Sequence, residues 1–222
     1  MKVRTLVLCG DCWHLAETVR RGLSPLGNAG FDFEYLADGA KCPAEMLDGF
    51  SLVVLAKANM VSPSDQRAWL KADSQMMFHD FLRRGNGLVV VHAGTSRYDD
   101  LPAMRSVIGG AFRHHPPPCR VAFEPKTGHL LAEGVAPFAA DDEHYFVELD
   151  DAPADVFLHS RSEHGVQPAG WTRMEGGGRV CVLTPGHDLE VWLHPEFQKL
   201  LLNALRWAAK LNPVPVRVQT SR

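Results

Sequence analysis

The stretch Gly85-Asn86-Gly87-Leu88-Val89-Val90-Val91-His92-Ala93-Gly94-Thr95-Ser96 decides how this chain folds. Four consecutive large apolar residues, three of them β-branched, follow a glycine turn, the pattern of a strand covered on both faces in the middle of a parallel sheet. The run stops at His92, an ionisable residue, and the small residues after it let the backbone turn sharply and approach a ligand closely. Open α/β sheets bind ligands beyond the carboxyl ends of their strands, so His92 stands where chemistry is expected.

The preceding sequence supplies the neighbours of that strand. Val3 to Cys9 reads as a buried strand, a helix follows from about His14 to Gly22, and Phe31 to Leu36 and the apolar run within Ser51 to Lys57 read as two more strands. Ser62-Pro63-Ser64 supplies a helix start, and apolar positions between Trp69 and Leu82 give a helical face ending near Arg84-Gly85. This order predicts right-handed crossovers and an α/β fold with a doubly wound, mostly parallel sheet. Beyond a short helix at Leu101 to Ile108, additional short strands are expected at Val121 to Glu124, Tyr145 to Leu149, Val156 to Ser160, Ala169 to Arg173 and Arg179 to Thr184. Gly176-Gly177-Gly178 precedes a strand and reads as a hairpin turn, not a phosphate loop. A closing helix is expected from Pro195 to Leu211, and the tail Asn212 to Arg222 is expected to fray or to pack on a partner.

A chain of 222 residues with 45% hydrophobic content fits a single domain over 1–222. Its charge of -3 comes from 23 basic and 26 acidic residues without long runs, which argues against nucleic acid as a partner. The apolar run at the N-terminus ends at Gly10-Asp11, too soon for a signal peptide or a membrane span, so a cytoplasmic protein with no membrane partner is expected. Five scattered cysteines fit reduced thiols in that compartment, and Cys9 and Cys12 lack the second pair that a structural zinc site needs. No Gly-x-Gly-x-x-Gly, Walker loop or Gly-x-Ser-x-Gly elbow occurs, so no nucleotide cofactor is expected.

Histidine carries the functional signal, with eleven in the chain. His14, His92 and His187 follow the first, fourth and last long apolar runs, and they converge if those strands are parallel neighbours. Glu143, read as opening a strand, adds a carboxylate. His92, Glu143 and His187 are the candidate catalytic residues, and His14, His92 and His187 are candidate ligands for a divalent zinc, manganese or iron ion. The same groups also suit acid-base catalysis without metal. Asp11, His115, Tyr145 and Asp188 are candidate substrate-binding or supporting residues. Each histidine has the ordinary reading of a hydrogen-bonded structural side chain, and Trp171 and Trp192 either stack on a sugar or fill the core.

The segments from Gly87 to Gly94, Ile108 to Pro116, Asp142 to Tyr145 and Gly178 to Asp188 resemble, in order, the trehalose utilisation family ThuA and its ThuA-like domains. The resemblance implies a flavodoxin-like sheet related to class I glutamine amidotransferases, a cytoplasmic setting, and a role in disaccharide or keto-sugar catabolism with a small-molecule sugar as substrate. Those amidotransferases place a nucleophilic cysteine in a Gly-x-Cys-x-Gly turn after the central strand. Here Val90-Val91-His92-Ala93-Gly94 puts histidine at that place, so a thioester route is excluded there, and His187 matches the position of the partner histidine. An enzyme acting on a glycoside or 3-keto glycoside is the leading expectation. A non-catalytic sugar-binding or regulatory protein on a degenerate amidotransferase scaffold is the alternative, and an amidotransferase using another cysteine ranks below both. An exposed sheet edge or the closing helix offers a homodimer surface.

Overall fold

In the computed structural model, residues 2–150 and 154–211 are described, so the expected behaviour of Asn212 to Arg222 lies outside the described residues. The first half alternates as expected: β1 (Val3–Cys9), α1 (Ala16–Leu23), β2 (Phe31–Leu36), β3 (Leu52–Ala56), α2 (Met76–Arg83) and β4 (Gly87–Val91). The second half comprises α3 (Pro102–Ile108), β5 (Gly110–His114), β6 (Cys119–Pro125), β7 (Phe138–Asp142), β8 (Phe146–Leu149), β9 (Asp155–Ser162), β10 (Gly165–Glu175), β11 (Gly178–Leu183), α4 (Leu189–Leu193) and α5 (Pro195–Ala208).

Nine of these strands form one mixed sheet in the order β2-β1-β3-β4-β11-β10-β9-β6-β7. From β2 to β11 the neighbours run parallel; beyond β11 each pairing is antiparallel. β5 and β8 pair separately as an antiparallel ribbon. The period of two along a strand explains the unbroken apolar runs, because both faces are covered. Leu6, Leu8, Leu88 and Val90 pack with Phe78, Phe81 and Ile108 of α2 and α3. Val7, Cys9, Val89 and Val91 pack on the other face with Val19, Trp192, Phe197 and Leu201 of α1, α4 and α5. Trp171 and Trp192 are both buried in these cores, where their ring N–H groups donate to the carbonyls of Ile108 and Gly186.

Several expected boundaries move. The helix expected from Ser62 begins only at Met76, since polar side chains between them capture the backbone instead. Ser62 and Asp65 close a bridge, Asn59 exchanges two hydrogen bonds with the backbone of Leu70, and Ser74 Oγ accepts from Lys71 N. α1 starts at Ala16 rather than His14, which is held in a turn where its carbonyl accepts from Asp11 N. Glu143 opens no strand; it lies in the short link between β7 and β8, and Tyr145 precedes β8. β5 and β7 are additional to the expected strands, and β10, antiparallel to both its neighbours, is longer than the short strand expected at Ala169 to Arg173.

After β4 the chain makes a 3-10 turn over His92–Thr95 with His92 at a φ of 47°. That left-handed conformation is uncommon for a non-glycine residue and requires support from its surroundings. Thr95 Oγ1 donates to His92 O at 2.9 Å, and Gly94 leaves room for the carbonyl of Leu55, against which any Cβ would press. Gly94→Ala is therefore expected to lower the unfolding free energy by about 2 kcal/mol, read as a lower denaturant midpoint at unchanged slope. A midpoint equal to the parent's would contradict the tight packing of this turn.

Candidate active site

The parallel order places β1, β3, β4 and β11 side by side, so β3 lies between the strands that carry His14 and His92 instead of those strands being direct neighbours. The loops after β1, β4 and β11 nevertheless bring His14, His92 and His187 to one point, with ring centroids 5.0 to 5.6 Å apart. Glu143 enters from the β7–β8 link, its Oε2 lying 3.3 Å from His92 Nε2 and 3.2 Å from His187 Nδ1. One ligand atom from each of His14, His92, Glu143 and His187 lies within 4.8 Å of the others.

Hydrogen bonding fixes which ring nitrogen two of the three histidines present. A carbonyl or a carboxylate only accepts, so His14 Nδ1 donates to Asp11 Oδ1 at 2.8 Å and His92 Nδ1 donates to Thr184 O at 2.7 Å. In the neutral ring this leaves Nε2 as the acceptor, and the Nε2 atoms of His14 and His92 and the Nδ1 atom of His187 are buried without a hydrogen-bond partner. The contacts to Glu143 are within ion-pair distance but lack hydrogen-bond alignment. Three buried nitrogen donors and a carboxylate oxygen, two of the imidazoles oriented through their far nitrogens, match the chemistry of a borderline divalent cation such as zinc, manganese or iron.

Charge and burial pull these groups apart. Burial pushes the His92 imidazole below its usual range, against the attraction of Glu143 and Asp142. Glu143 beside it holds the His187 imidazole above its usual range. For Glu143, burial works toward protonation, but His187 and His92 outweigh it and keep the carboxyl well below the ordinary value. Tyr145 stacks on His92 at 4.0 Å between centroids, and burial drives its phenol upward.

The remaining sequence candidates separate into different roles. His115 reaches the cluster, with Nε2 3.5 Å from Glu143 Oε1 and Nδ1 donating to Pro116 O at 2.8 Å. Asp11 is engaged at both carboxylate oxygens: Oδ1 accepts from the backbone of Trp13 and His14 as well as the His14 ring, and Oδ2 accepts from Ala58 N. It is buried and orients His14, which is the supporting one of its two expected roles. Asp188 is exposed and reaches the site through its charge on His187.

A family model for ThuA, trehalose utilisation, matches residues 11–208. The chain belongs to the ThuA family. No curated protein matches it. Among solved structures it is similar to a ThuA-like protein of Parabacteroides merdae, at 17% identity and a TM-score of 0.78, covering 97% of this chain and 94% of that one. A ThuA-like protein of Bacteroides uniformis gives 20% identity and a TM-score of 0.71, covering 93% and 91%. A β-galactosidase from Rahnella sp. R3 matches at 16% identity and a TM-score of 0.66, with 96% of this chain on 32% of that enzyme. These likenesses concern the fold.

In this ThuA chain the residue that sequence reading missed is Asp142. It ends β7 almost fully buried and accepts from Gly186 N, His187 N and Glu143 N at 2.9 to 3.0 Å, clamping two of the converging residues at once. Burial raises its carboxyl above the usual value, against the pull of His92 and the three N–H groups. The cysteines stand aside: Cys9 and Cys42 are pushed up to about 11 by burial, and burial also raises Cys181. No helix among the described residues is long and apolar enough to cross a membrane.

Proposed function

We propose that this ThuA protein is an enzyme of carbohydrate catabolism that cleaves a 3-keto glycoside at a divalent-metal site held by His14, His92, Glu143 and His187. The observation that carries this reading is the meeting of three buried, unpartnered imidazole nitrogens with one carboxylate oxygen at the strand ends. Membership of a trehalose utilisation family supports a sugar substrate, and histidine in place of a nucleophilic cysteine supports chemistry other than amide transfer.

When bound, a divalent cation supplies positive charge that stabilises the charge developing on the substrate's ketone oxygen. The protein's own groups handle the protons. Glu143 turns Oε2 toward His92 and His187 and Oε1 toward His115, so Oε1 is free to take the proton from the carbon beside the ketone. The electron pair left on that carbon forms a double bond to the anomeric carbon as the bond to the glycosidic oxygen breaks. His115, whose Nδ1 donates to Pro116 O, takes that proton from Glu143 Oε1 at Nε2 and hands it to the departing oxygen. Water then adds across the double bond and gives the free 3-keto sugar. Tyr145, stacked on His92 and buried, closes one side of the site against solvent.

The test is release of nitrophenol from a 3-keto nitrophenyl glucoside. The parent protein, supplied with zinc, manganese or iron, is expected to release nitrophenol, and Glu143→Gln is expected to lower kcat by at least about 100-fold. Turnover by that variant at the parent rate would contradict the role of Glu143. Sugar binding without release under each metal would favour a non-catalytic binding protein.

A further inference from the structure

Two large apolar side chains flank His14 in the open. Trp13 is 56% exposed and Leu15 69% exposed, whereas Trp69, Trp171 and Trp192 are buried. Leu15 lines a small depression with His14, His92 and His187, and Trp13 adjoins the same His14 in sequence. The indole does not hang on a loose segment. Trp13 N donates to Asp11 Oδ1, the same oxygen that orients the His14 ring, and Asp11 N donates to His14 O, so residues 11–14 form a closed turn.

A second feature lies on the neighbouring loop. Arg97 has a φ of 65°, the left-handed region that non-glycine residues rarely adopt, and its side chain is exposed with no hydrogen bond or ion pair among the described residues. The segment after β3 ties the two loops together. Ala58 N donates to Asp11 Oδ2, Cys12 Sγ approaches Met60 Sδ at 3.5 Å, and Asn59 N donates to Ser96 O at 3.1 Å. An exposed indole on a fixed backbone and an exposed guanidinium are thus carried on linked loops beside the histidines.

We propose that Trp13 and Arg97 bind the distal ring of a disaccharide, the indole stacking on the apolar C–H face of a pyranose and the guanidinium donating to its hydroxyls. This rests on the sugar substrate assigned above and adds the residues that select a two-ring substrate. Aromatic rings supply large, rigid contact area, and five fixed N–H donors suit an array of hydroxyl acceptors. Neither residue touches the converging imidazoles, so the grip and the metal-binding groups are separable by mutation.

Calorimetric titration of the protein with trehalose and with methyl α-glucoside tests it, with metal content and sedimentation recorded for each variant. Trp13→Ala is expected to weaken trehalose binding by about tenfold or more, leave methyl α-glucoside within about threefold, and leave metal content unchanged. Trp13→Phe is expected to recover most of the loss, and Arg97→Ala to weaken trehalose by several-fold at unchanged metal content. Equal trehalose affinity in parent and Trp13→Ala, with both binding the sugar, overturns the grip and leaves the sugar assignment standing. A parent that binds neither trehalose nor methyl α-glucoside overturns the grip, while nitrophenol release from the 3-keto glucoside by the same preparation decides the sugar assignment separately. A Trp13→Ala protein that changes its oligomeric state while keeping parent affinity shows the exposed pair to be an interface between copies, and overturns the grip as well.

Discussion

Replacing His92 and His187 together by alanine is expected to take metal content from about one ion per chain to near zero and to abolish cleavage of a 3-keto glycoside, with the fold retained. The expectation follows from donor count: the double variant keeps only His14 Nε2 and the Glu143 carboxylate, too few protein ligands for tight binding of a divalent ion. The fold should survive because neither side chain belongs to the apolar cores beneath the sheet. His92→Ala alone carries a stability cost, since Thr184 O loses its imidazole donor; alanine also keeps the unfavourable left-handed backbone at this position. The pH dependence has a defined sign. Metal competes with protons for imidazole nitrogen, so affinity in the parent should be full above the histidine range and fall as pH drops through about 6. Elemental analysis by mass spectrometry after equilibration at stepped pH reads both effects. A double variant that retains parent metal content would place the ion elsewhere.

Asp142→Ala is the second large effect. Three backbone N–H groups converge on this one buried carboxylate, and alanine leaves them without an acceptor in a region closed to water. An unsatisfied buried donor costs about 1–3 kcal/mol, so a loss of about 3 kcal/mol or more in unfolding free energy is expected. The loss is accompanied by release of Glu143 and His187 from their common anchor, lowering metal affinity by about 10- to 100-fold. Asp142→Asn retains part of the acceptor capacity and should fall between the two. Chemical denaturation and competition with a metal chelator measure the two quantities separately. A variant that loses stability while keeping full metal affinity would show that Asp142 supports the fold but does not position the site.

The parallel half of the sheet was legible because burial on both faces leaves no polar position in Leu88 to Val91 or Leu52 to Ala56, and because each run ends in a turn. The histidines were legible for the same reason, since strand ends are where an ionisable residue can reach a ligand. What escaped reading depends on partners remote in sequence. Asp142 lies in a row of three acidic residues, and its burial depends on Gly186 and His187, more than forty positions away. One signal was present: Phe138, Ala140 and Asp142 alternate on the buried face of β7, a pattern that puts a carboxylate inward. The helix placed from Ser62 failed because serine, asparagine and aspartate side chains compete for backbone groups, an outcome that apolar spacing does not register. Asp188, adjacent to His187 in sequence, is exposed at the start of α4, and Trp13, next to His14, is exposed as well.

The most direct test of the central claim is metal-edge X-ray absorption on the untagged protein loaded with zinc. The expected spectrum shows imidazole nitrogen and carboxylate oxygen around the zinc without sulfur, with the imidazole scattering lost in the His92→Ala/His187→Ala variant. A shell containing thiolate sulfur, or one unchanged in the double variant, would contradict a metal centre built from His14, His92, Glu143 and His187.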